Sequence, residues 1–96
     1  MPPSLPHPPL ESIIAATVAL DDTLGQGLFS QARHHARVIA LRATTAHFDA
    51  VAACAQRLMD VLNQAIRPER RTWADPLERL HGAIDRALEA GPSDHA

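Results

Sequence analysis

The sequence has no lysine and no tyrosine, one cysteine and only three aromatic side chains, Phe29, Phe48 and Trp73. Each shortage excludes something. With so few large side chains there is little material for a deep core, so helices must approach one another through alanine. The single cysteine, Cys54, excludes an intramolecular disulfide. No run of about 18 apolar residues occurs, which argues against a transmembrane helix. The N-terminus lacks a cationic segment followed by an apolar one, the mark of a standard signal peptide, so the expected location is cytoplasmic. A net charge of -2 gives no whole-chain field for nucleic acid or an anionic membrane. All nine cationic side chains are arginines. Guanidinium groups suit bidentate anion contacts, but GC-rich codon usage accounts for the arginines and the alanines together. G-x-S-x-G, P-loop and G-x-G-x-x-G patterns are all missing.

What is present is a long stretch free of helix breakers. Residues 28 to 67 contain neither glycine nor proline, with Gly25 and Gly27 before them and Pro68 after. Alanine, leucine and arginine dominate it, and all three favour helix. No single apolar face runs its length. Phe29, Ala32, Ala36, Ile39, Ala43 and Ala46 share one face; Phe48, Val51, Ala55, Leu58, Leu62 and Ala65 or Ile66 share another. The two are offset by roughly a third of a turn at the 3.6-residue period. The offset falls at Thr44-Thr45, two β-branched residues that are poorer helix formers and good caps. The stretch is therefore read as two helices, or as one long helix kinked there.

Around it the chain divides simply. Residues 1–9 hold five prolines and read as an extended, flexible arm. A first helix is expected near 10–24, with Leu10, Ile13, Ala16, Leu20 and Leu24 on one stripe, ended by Gly25-Gln26-Gly27. Residues 67–74 read as a connection. Asp75-Pro76-Leu77-Glu78 resembles a capped helix start, with Glu78 three residues after the cap. A last helix near 75–90 would carry Leu77, Leu80, Ile84 and Leu88 inward and stop at Gly91-Pro92. Residues 92–96 are a flexible tail. The expected fold is all-α: a small antiparallel bundle of three to four helices in one domain, 10–91, with the inner two near 28–43 and 45–66.

The chemistry-bearing residues are sparse. No two histidines stand at the i,i+3 or i,i+4 spacing of a helical metal pair, and His47 and Cys54 are about 10 Å apart along a helix. No metal or cofactor is expected. Cys54 sits among alanines, the setting of an inert thiol. One charge feature stands out: no acidic residue lies between Asp22 and Asp49, while Arg33, His34, His35, Arg37, Arg42 and His47 do. Arg33 and Arg37 are i,i+4 neighbours. Such a face could meet a phosphate or an acidic partner; it lacks the interleaved aromatics of a single-stranded nucleic-acid site. A solvated basic face is the plainer alternative.

His34 or His35 beside arginines, with VAACAQRL at 51–58, is similar to part of a histidine phosphotransfer domain. That family is a four-helix bundle with an exposed histidine, commonly in His-x-Leu-Lys-Gly, on a central helix. Here Ala-Arg-Val follows His35 and His-Ala-Arg follows His34, and no glycine separates the two helices. The resemblance covers about a quarter of the chain.

The reading that follows is a non-catalytic helical interaction module, an adaptor, regulator or chaperone-like protein, with phosphotransfer through His34 or His35 as the alternative. Phe48, Val51, Leu58, Met59, Leu62 and Ile66 are the candidate interface. A small bundle covers its apolar surface poorly, and a helix apolar over more than one face needs more than one neighbour. The expected partner is a second copy in a homodimer, or another helical protein.

Overall fold

In the computed structural model, which describes residues 8–90, four helices follow one another: α1, Pro8–Gln26; α2, Phe29–Thr45; α3, Asp49–Leu62; and α4, Arg70–Ala90. They run up and down, each packed on the one before it, as the all-α expectation requires. Apart from Pro8 and Pro9, which open α1, the proline-rich arm lies outside the described residues, and so does the tail at 92–96. Proline suits that first turn because its missing N–H has no helical partner there.

The first two turns are set by one left-handed residue each. Gly27 (φ 75°) ends α1, with Leu28 N–H bonded to the Thr23 carbonyl at 2.8 Å and Gly27 N–H to that of Leu24 at 3.2 Å. His47 (φ 65°) ends α2 the same way: Phe48 N–H reaches the Ala43 carbonyl at 2.8 Å and His47 N–H that of Thr44 at 3.2 Å. Both are Schellman endings, which satisfy carbonyls the helix leaves open. The break between the inner helices therefore exists, but it lies at 46–48 rather than at Thr44-Thr45. The threonines stay helical, with their hydroxyls donating back to the carbonyls one turn earlier, Thr44 to Ala40 and Thr45 to Leu41.

Two predicted boundaries are corrected. α3 stops at Leu62, not 66, because Arg33 reaches across from α2 to its end. Its Nε donates to the Leu62 carbonyl (2.9 Å), and its Nη2 donates to those of Ala65 (2.7 Å) and Ile66 (3.0 Å). α4 begins at Arg70, not at 75, so Pro76 lies inside it. Asp75 is no cap; it accepts a hydrogen bond from Arg79 Nε at 2.9 Å one turn on, and that carboxylate raises the Arg79 guanidinium above its ordinary value. The early start follows from burial. Trp73 is only 7% exposed, and holding its ring in the core outweighs the local signal at Asp75-Pro76, since tertiary packing overrides propensity.

The core is built as composition demanded. α2 contributes Ala32, Ala36, Ala40 and Ala43 around Ile39, against Ile13, Leu20, Leu58, Leu62 and Leu80 from the other helices. Thr17 and Thr23 are buried on α1, but their hydroxyls donate to the Ile13 and Leu20 carbonyls. Ala16 and Leu77, predicted inward, are half-buried, and Leu88 is exposed. The apolar face of α4 is carried instead by Trp73, Leu80, Ala83, Ile84 and Ala87.

Candidate functional site

Folding the chain back at His47 sets α2 against α3 in antiparallel register, with Arg33 at the end of α3. Outside this register lies an open cavity of about 430 Å³, lined by Arg33, His34, Arg37, Met59 and Asn63. Three of the five residues predicted for anion or acidic-partner contact meet here. Among the described residues, none of the lining side chains is a carboxylate.

Their roles differ. Arg33 is already held by the three carbonyls at the α3 end, so it contributes charge more than free donors. Arg37 and His34 are exposed, and Arg37 has no hydrogen bond or ion pair among the described residues. Met59 is half-buried and offers an adaptable apolar surface. Asn63, a residue the sequence reading passed over, adds an amide.

The other two basic candidates lie apart. His35 is half-buried, its ring edge-on to that of His34 with centroids 5.7 Å apart. Arg42 donates to Ser12 across the α1–α2 contact.

The predicted interface stripe is used inside the chain. Phe48, Val51, Leu58 and Leu62 are 2%, 1%, 0% and 0% exposed and belong to the core. Of that set, only Met59, half-buried in the α2–α3 cavity, and Ile66, 86% exposed beyond α3, reach the surface. Ile66 is there because Arg33 ends the helix before it.

Elsewhere, Cys54 is half-buried at the edge of a second cavity of about 400 Å³ between α3 and α4, lined from α4 by Asp75, Glu78, Arg79, Gly82 and Arg86. Among the described residues no group of three His, Cys, Asp or Glu side chains comes together. No described helix is long and apolar enough to cross a membrane. No family model, curated protein or solved structure matches the chain.

Sequence reasoning missed Arg33 as the element that ends α3, and missed the pairing of His81 with Asp21, Nε2 to Oδ1 at 2.9 Å, across α4 and α1. Both depend on register between helices. Placing the turn at His47 would have found the first, because it sets position 33 opposite position 62.

Proposed function

We propose that the protein is a non-catalytic, cytoplasmic interaction module, an adaptor, regulator or chaperone-like protein, whose α2–α3 groove docks an acidic, amphipathic segment of a partner protein. The observation that carries this reading is the groove's composition: Arg33, His34 and Arg37 beside Met59, with no lining carboxylate among the described residues. A partner carboxylate gains a charge-assisted hydrogen bond from Arg37, and an apolar partner side chain covers Met59.

A dye-labelled helical peptide of glutamate and leucine, with the leucines on one face, tests it by fluorescence anisotropy. Binding should weaken as salt is added. Arg37→Glu should weaken it at least about tenfold, equivalent to about 1.4 kcal/mol. Equal binding by Arg37→Glu, or none by the wild type, would contradict the proposal.

One observation favours a second reading. His34 is exposed on α2, with Arg37 three residues on and lining the same groove, where the histidine phosphotransfer pattern has its lysine. In that reading His34 accepts a phosphoryl group from a response-regulator aspartate, and Arg37 neutralises it. Treatment with phosphoramidate, a small phosphoryl donor, should then add one phosphoryl group by mass to the wild type and to His35→Gln, but not to His34→Gln. Absence of any acid-labile mass gain would remove this reading.

A further inference from the structure

We infer that the acidic partner of the α2–α3 groove is a second copy of this chain, presenting the seam between its α1 and α4. This rests on the reading of the groove given above.

The seam is where the bundle is least closed. α1 packs closely on α2, α2 on α3 and α3 on α4, whereas α1 and α4 approach less closely. A cavity of about 330 Å³ lies between them, with Ile14, Val18 and Ile84 as its apolar lining and Asp21, Asp85 and His81 as its polar one. Val18 is 63% exposed. Leu88, one turn beyond Ile84 on the same helix face, is 55% exposed.

Charge decides what suits it. α1 carries Glu11, Asp21 and Asp22 and no cation. The arginines of α4 that line a groove, Arg79 and Arg86, face the α3 side with Cys54. Among the described residues, the only group lining the seam that can be cationic is His81, and it is engaged with Asp21. The seam is therefore apolar with an acidic rim, and its complement is a helix carrying apolar and cationic side chains together. α2 of this chain is such a helix. It has three arginines and no acid, and His34, Arg37 and Leu41 share its outer face, Leu41 being 59% exposed.

The spacing agrees. Leu41 and Arg37 are one helical turn apart, as are Val18 and Asp21 on α1 and Leu88 and Asp85 on α4. A second copy's α2 laid along the seam, with Leu41 between Val18 and Leu88, brings Arg37 beside the aspartates. The two surfaces lie on different faces of one chain, so the contact is head-to-tail and builds chains or closed rings rather than a two-fold dimer.

Sedimentation of the full chain across a wide concentration range tests this with two exposed-site variants, Arg37→Glu in α2 and Val18→Arg in the seam. Circular dichroism melts confirm that both fold. The wild type should grow beyond a dimer with concentration and fall back toward monomer in high salt. Each variant alone should stay monomeric. An equimolar mixture should form a 1:1 heterodimer and nothing larger, because one competent surface of each kind remains. A monomeric wild type, association that survives either substitution, or a mixture that stays monomeric would overturn the inference. If the wild type stays monomeric yet binds the glutamate–leucine peptide through Arg37, the groove reading stands and the second copy is rejected. If Arg37→Glu binds the peptide as well as the wild type does, the groove reading fails.

Discussion

Leu58→Asp is expected to leave the chain unfolded at 25 °C. Leu58 is fully buried on α3, the helix that packs on both α2 and α4. Removing the leucine forfeits about 2–5 kcal/mol through lost burial and a cavity. Placing an unpaired carboxylate there adds several kcal/mol of desolvation. A domain of this size has roughly 5–15 kcal/mol of total stability, and with so few large core residues the lower part of that range applies. Leu58→Ala should remain folded but melt earlier. Far-UV circular dichroism with a thermal melt checks both. A cooperative melt with full helical signal in Leu58→Asp would show that this face of α3 is not the centre of the core.

The second large effect concerns Trp73. Its ring is buried at the start of α4, and its Nε1–H is buried with no acceptor among the described residues. Trp73→Ala should cost about 3–5 kcal/mol, as large-to-small aromatic changes do. It should also fray the first turns of α4, because the helix begins at Arg70 only while the ring holds it in place. Trp73→Phe should cost far less. It retains most of the apolar surface and removes an unsatisfied donor, whose burial costs about 1–3 kcal/mol. Urea unfolding of the two variants measures the difference. A phenylalanine variant as unstable as the alanine one would mean that the indole N–H is bonded in the folded protein.

These two positions also show how legible the fold was. Leu58 was readable from the chain because Phe48, Val51, Ala55, Leu58 and Leu62 repeat at helical spacing, and one face of a helix is a local property. Trp73 was not. Asp75-Pro76 outscored it as a helix start, since a capping pattern is visible in four residues while the burial of an indole depends on helices packed against it. The same limit governs the site. The run from Asp22 to Asp49 without an acid made Arg33, His34 and Arg37 visible as a basic group. Their meeting with Met59 and Asn63, the diversion of Arg33 to the end of α3 and that of Arg42 to Ser12 required the register of α2 against its neighbours. Thr44-Thr45 marked the break nearly in the right place for the wrong reason. β-branching suggested a weak helix, whereas the chain turns at His47, a residue in the left-handed region where non-glycine residues are uncommon.

The most direct test of the docking groove is to map amide chemical-shift changes in the labelled protein as the glutamate–leucine peptide is added. The changes should be concentrated at Arg33, His34, Arg37, Met59 and Asn63 and should vanish in Arg37→Glu. Changes centred instead on α4, or spread evenly over the bundle, would contradict the assignment of the α2–α3 groove as the docking surface.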